Sequence, residues 1–340
     1  MPLPAAWTLT ASAFNWTPEL IRAEQTATQL AARIATDGVA DTIEVEAGQL
    51  WRSFPDPDAD ETARIRDALQ EAGASVSIVG ASIDDWRNAT SRRDEEERLA
   101  FLVPQLRAAA DVGATGVRLP IGQAGVTLLT RLQPHLHDLD LVLFEEVQGQ
   151  QDPHREPYAR AFADLAGLDD SRIRVLLDIS MLMPSLPPTY LAQLRAGGVP
   201  DALLVRLETQ WRDEDTMGDV GGLLRSGGVP ERIQTLFMNL LIRFGRSDAS
   251  ELRSILPLVS GVHLKFWDLD DEGGRVSGPI RDIAAELARV GFEGTLCSEW
   301  GGHEWLDDDA AAMTRRHLAL ARTALAEGVA SSDAANPVVA

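Results

Sequence analysis

Gly261-Val262-His263-Leu264-Lys265-Phe266-Trp267-Asp268 is the stretch from which the rest of the chain is read. Apolar β-formers bracket a histidine, a lysine follows two places later, and acidic residues and glycines come next. Residues two apart on a strand share a face. His263 and Lys265 therefore point together into one cavity, with Asp268 at the strand's end. Lys265 is the only lysine among 31 Lys and Arg residues. A compact, rotatable ammonium differs from the planar guanidinium used everywhere else wherever a point charge must approach a ligand. The octet reads as a strand that delivers active-site side chains.

Working outward, similar short β-like runs alternate with longer helical patterns, as in a parallel sheet built from βα units. Upstream lie Trp7 to Phe14, Thr42 to Glu46, Ser75 to Gly80, Thr115 to Pro120, Leu139 to Val147 and Ile173 to Asp178; downstream lies Gly294 to Glu299. Thr17-Pro18 reads as the cap and first turn of a helix reaching about Asp37. Gly73 closes a helix begun at Glu61, Asp94-Glu95-Glu96-Glu97 opens one that runs through Ala110, and a last helix spans about Asp307 to Glu327. The eight strand-like runs predict an α/β fold, a single (β/α)8 TIM barrel. The stretch Pro184 to Ser260 is too long for one βα connection, so it predicts an extended helical insertion between strands six and seven. Asp201 to Leu207 is assigned to a helix there, since counting it as a strand would give nine. The barrel domain is placed at 1–329 and the Ala-, Ser- and Pro-containing tail at 330–340 is expected to be disordered.

A formal charge of -21 and a pI near 4.6 exclude a basic nucleic-acid face and argue equally against an anionic membrane surface. The one cysteine, Cys297, rules out an internal disulfide and a Cys-rich zinc site. Neither a signal peptide nor a membrane-spanning apolar run is visible, so a cytoplasmic protein is expected.

Catalytic groups of such a barrel sit at the C-terminal ends of its strands. The last four strands present Glu145-Glu146, Asp178, His263 and Glu299 there. Carboxylates and an imidazole converging on one cavity repel or lose their charge unless a cation neutralises them. An oxygen-rich set with one nitrogen suits a divalent metal, Mn2+ first, with Mg2+ or Co2+ as alternatives. Neighbours on a strand face opposite ways, so only one of Glu145 and Glu146 points inward. Alternation does not choose between them, because Leu143 and Phe144 are both apolar.

The chain resembles the xylose-isomerase-like, or sugar isomerase/epimerase, barrel superfamily. His263-Leu264-Lys265 matches its strand-seven pattern, Glu146-Val147-Gln148 its strand-five pattern, and Asp178 and Glu299 the two remaining positions. The resemblance implies metal ligands Glu146, Asp178, His263 and Glu299. Phe144-Glu145-Glu146-Val147-Gln148-Gly149, Ser298-Glu299-Trp300-Gly301-Gly302-His303 and Leu9-Thr10-Ala11-Ser12 further resemble the α subunits of bacterial C-glycoside deglycosidases. That resemblance implies a lyase acting on 3-oxo-C-glucosides, working with a small β subunit in a hetero-oligomer.

The chemistry implied is deprotonation at C2, next to a carbonyl polarised by the metal, then β-elimination of the aglycone. Reprotonation of the same enediolate would instead give a sugar isomerase, epimerase or inosose dehydratase. Acid–base candidates are His154, after strand five, and His303, which two glycines would let reach the metal face. Lys265 is a candidate to bind a substrate oxygen or to stabilise the enediolate. His135 and His137 fall at the wrong end of the barrel, and His317 is expected to be solvated. Trp16, Trp51, Phe54, Trp86, Trp267, Trp300 and Trp305 fall near predicted strand ends and favour a flat aromatic aglycone, such as a flavonoid, over a sugar phosphate.

Overall fold

The computed structural model describes residues 2–335. Eight parallel strands close a barrel in sequence order: β1 Trp7–Ser12, β2 Thr42–Glu46, β3 Ser75–Gly80, β4 Gly116–Pro120, β5 Val142–Val147, β6 Ile173–Asp178, β7 Val259–Phe266 and β8 Gly294–Trp300. Closure comes from β1 lying beside β8, with Trp7 opposite Gly294 and Ala11 opposite Ser298. Helices surround the barrel, giving the (β/α)8 architecture. A small antiparallel pair, Trp86–Asn88 with Ser91–Arg92, stands apart in the connection after β3.

Several boundaries differ from the sequence reading for local reasons. β1 stops at Ser12, whose hydroxyl accepts from Phe14 N at 3.2 Å and starts a tight turn over Ala13–Trp16. The helix expected from Thr17 to Asp37 is two, Thr17–Ile21 and Ala27–Thr36. Ala23 takes a left-handed conformation (φ 55°), and Thr26 then caps the second helix through a reciprocal bond with Gln29. β5 begins at Val142, since the preceding helix runs on to Asp138 and turns at Asp140 (φ 56°). The acidic run acts as read: Asp94 and Glu97 form a capping box on Glu95–Asp111. The last helix is Ala310–Ala335, taking in part of the expected tail; residues 336–340 lie outside the described residues.

Between β6 and β7 the chain builds the helices Pro188–Gly197, Asp201–Thr209 and Glu214–Arg225 and a run of short turns. They share a second apolar core of Tyr190, Leu194, Leu204, Leu207, Phe237 and Phe244, which Trp267 joins from the end of β7. This insertion presses on the loop after β5. At Gly149 (φ 54°) a Cβ would stand 2.0 Å from the Ile242 carbonyl oxygen, so only glycine fits.

The inward positions of the strands change character along the axis. At the N-terminal end Ile78, Phe144 and Leu176 pack into an apolar floor. Gly116 and Gly261 leave room for the Phe144 ring, which would lie 2.5 and 3.4 Å from a Cβ at those positions. Two residues further along each of these strands the inward side chain is polar or absent: Gly80, Arg118, Glu146, Asp178 and His263.

Candidate active site

Strand alternation resolves the Glu145–Glu146 ambiguity. Phe144 belongs to the barrel floor, so Glu146 shares the inner face and Glu145 points outward. Buried there, Glu145 accepts from Gly122 N at 2.7 Å, and burial raises its pKa to about 7.

The structure brings Glu146, Asp178, His263 and Glu299 together, with ligand atoms within 4.8 Å of one another and every side chain buried. His263 Nε2 lies 2.9 Å from Glu44 Oε2 on β2. That carboxylate accepts a hydrogen bond from Nε2–H and leaves Nδ1 facing the cluster. Nδ1 stands 3.0 Å from Glu146 Oε1 and 2.5 Å from Glu299 Oε2. His263 Nδ1, Glu299 Oε2 and Asp178 Oδ2 are buried without a well-directed hydrogen bond. Donor atoms that converge without bonding one another fit a cation between them. With Glu44 and Glu46, five carboxylates gather here, and among the described residues Arg118 and Lys265 are the fixed cations paired with them. The site can hold a divalent metal on both grounds.

The charge states reflect this crowding. Burial alone would raise Glu146, yet Arg118 and His263 hold it at about 2. Burial lifts Asp178 to about 6. Burial opposes the charged form of His263, but Glu299 and Glu44 keep its pKa well above the usual value, so a proton and a metal ion compete for Nδ1. Lys265 is likewise disfavoured by burial and rescued by Glu299, 2.5 Å away, and Asp178.

Above the cluster opens a cavity of about 450 Å³, lined among others by Phe14, Glu46, Phe54, Arg118, Gln148 and Lys265. The Lys265 ammonium lies 5.1 Å from the centre of the Phe14 ring. His303 sits behind the same ring, 4.7 Å from Phe14 and 5.7 Å from Trp300, and its Nε2 is buried without a partner. Burial and Lys265 lower its pKa to about 4, so it is neutral near pH 7. The glycines before it serve packing rather than reach: a Cβ on Gly302 would fall 1.8 Å from the Trp267 carbonyl oxygen. His154 is not brought to this cavity. It is exposed, and its Nε2 lies 3.0 Å from the Glu251 carbonyl oxygen.

Two expectations are corrected. His317 is fully buried, 2.8 Å from Ser298 Oγ and stacked 3.8 Å from Phe266, because it lies on the apolar stripe of its helix. Trp16, Trp51, Trp267 and Trp300 are buried in packing and Trp86 is in the outlying strand pair, so the aromatic wall of the mouth is Phe14 and Phe54. Glu44, Glu46 and Arg118 escaped the sequence reading. Their signal was period-two placement: Glu44 and Glu46 share a face of β2, and Arg118 follows Gly116 on β4. Arg118 bonds both Glu46 and Glu146, the latter at 2.6 Å.

No family model matches the chain. It is 28% identical over 324 residues to a C-glycoside deglycosidase alpha subunit of Arthrobacter globiformis, covering 93% of this chain and 92% of that one. It is 25% identical over 297 residues to a 3'-dehydrocarminate deglycosidase alpha subunit of a Microbacterium species, covering 82% and 84%. Among solved structures, D-psicose 3-epimerase in the presence of D-fructose superposes with a TM-score of 0.56 at 15% identity, covering 94% of this chain and 99% of that one. A xylose isomerase domain protein from Alicyclobacillus acidocaldarius gives 0.54 at 14%, covering 96% and 99%. The sequence is thus similar to deglycosidase alpha subunits, and the fold is that of the xylose-isomerase-like barrels.

Proposed function

We propose that this chain is the catalytic subunit of a C-glycoside deglycosidase, a metal-dependent carbon–carbon lyase that releases the aglycone of a 3-oxo-C-glucoside. The observation that carries this reading is the buried Glu146–Asp178–His263–Glu299 cluster at the mouth of a barrel whose sequence is similar to deglycosidase alpha subunits. These four residues would hold the divalent ion, with Mn2+ the proposed metal. Bound there, the ion would supply Lewis acidity to the C3 carbonyl and C2 hydroxyl of the sugar.

The chain's own residues do the rest. Lys265, held charged by Glu299, donates a hydrogen bond to the substrate oxygen that gains negative charge. His303, neutral and packed against Phe14 and Trp300, does not line the cavity and has no proton-transfer role in this reading. Phe14 and Phe54 give a flat aglycone an apolar wall and keep water from the sugar. The word "alpha" in the relatives' names supports a small β partner beside this chain.

The test is metal analysis of the purified chain, followed by a 3-oxo-C-glucoside assay with and without a candidate small subunit. Bound Mn2+ and aglycone release only with the partner are expected. Bound metal with proton exchange on a free keto-sugar, and no release, would replace this reading by a sugar isomerase or epimerase.

A further inference from the structure

Deprotonation at C2 needs a base in the mouth, and a carboxylate free of the metal is the more basic choice. Glu146, Asp178 and Glu299 belong to the ligand set, Glu44 is engaged by His263 deeper in the barrel, and Glu145 points outward. Lys265 is protonated, His154 is elsewhere and His303 is screened by Phe14. Among the described residues, Glu46 is the carboxylate lining the cavity that remains. Its side chain is 27% exposed, against 5% for Glu146 and 10% for Glu299, so it stands nearer the entrance than the ligands.

We infer that Glu46, at the C-terminal end of β2, is the base that removes the C2 proton. The inference rests on the lyase reading above and assigns its proton-transfer residue. Two features aim the carboxylate. One Arg118 guanidinium holds Glu46 and Glu146 together, which fixes the base relative to a metal ligand. On the next strand Gly80 leaves the space the carboxylate occupies, since a Cβ there would lie 2.1 Å from Glu46 Oε2. Burial raises the Glu46 pKa, Arg118 opposes it, and Glu299, Glu146 and Glu44 add to the rise.

The step balances within the substrate. Glu46 takes the proton as the C2–H bond breaks, and the electron pair forms C2=C3 with charge on O3. When that charge returns to the carbonyl, the pair forms C1=C2 and the C1–aglycone bond breaks. The Glu46 carboxylic acid then returns its proton to the departing aryl carbon. The products are an unsaturated 3-oxo sugar and the free aglycone, with no oxidant or reductant consumed.

The test uses the metal-loaded chain with its small subunit and a 3-oxo-C-glucoside in D2O, reading aglycone release and C2 hydrogen exchange by NMR. Glu46→Gln is expected to keep metal stoichiometry and circular dichroism while both rates fall about 10²–10⁴-fold. Gly80→Ala, a residue outside the chemistry, should displace the carboxylate and cost about 10²-fold at unchanged metal content. A folded, metal-loaded Glu46→Gln within tenfold of wild type overturns the assignment. Should Glu46→Gln fail to fold, wild-type rates in Gly80→Ala overturn it instead. A wild-type complex showing neither release nor exchange overturns the lyase reading itself, and Glu46 with it.

Discussion

The proposed strand-end ligands were legible as residues because two facts coincide: period-two alternation, and carboxylates or a histidine near the C-terminal ends of β-like runs. Alternation alone did not choose the glutamate on β5, which the resemblance gave as Glu146; alternation decides only once Phe144 is seen to fill the floor between Gly116 and Gly261. Glu299→Gln keeps the shape of the side chain but removes the charge of a proposed ligand and the anionic partner of Lys265. Metal content and turnover should collapse while the barrel stays folded; full metal retention in elemental analysis would remove Glu299 from the ligand set. His317 was misread although its signal was present: Met313, His317, Ala321 and Leu325 recur at helical spacing, and all are buried. Burial lowers its folded pKa to about 3, below the unfolded value, so only the unfolded chain binds this proton in between. Its stabilisation is complete above about pH 6.5 and is lost as pH falls toward the folded pKa. Between pH 6.5 and 5, wild type should lose about 2 kcal/mol more unfolding free energy than His317→Gln. Equal pH slopes in urea titrations would show that His317 does not contribute.

Elements were easiest to read where a cap or a strand end announces them. Three strands, β2, β3 and β6, have the bounds their sequence suggests, because turn residues flank compact β-branched runs. The first helix was overextended: residues 22–26 are mostly good helix formers with no Gly or Pro to stop them, but the Thr26–Gln29 box restarts the helix there. The reciprocal bonds of Asp94 and Glu97, both at 3.0 Å, put a comparable weight on the start of Glu95–Asp111. Asp94→Ala is expected to cost about 1 kcal/mol in chemical denaturation with activity unchanged. A stability equal to wild type would mean that packing alone positions this helix. The insertion was legible as surplus length of helical character, with the helix read at Asp201 to Leu207 found at Asp201–Thr209; its other elements were not placed. Its architecture depends on Trp267, which leaves β7 to join Tyr190 and Phe244, a contact far apart in sequence.

At the scale of the molecule, a barrel follows from counting βα units, because eight parallel strands with buried faces have one compact closure. The apolar floor of Ile78, Phe144 and Leu176 has a kinetic consequence. It makes the barrel a vessel with one opening, so whatever enters must leave by the way it came. A substrate of the proposed kind would place its sugar against the cluster and its aglycone across Phe14 and Phe54, in the path of the sugar. Departure is therefore sequential, aglycone first. Added unsaturated sugar should inhibit competitively against substrate and added aglycone noncompetitively. The reverse pattern in steady-state kinetics would require a second exit. Traffic through a single door would then make clearance of the aromatic product the step that paces turnover whenever that product accumulates.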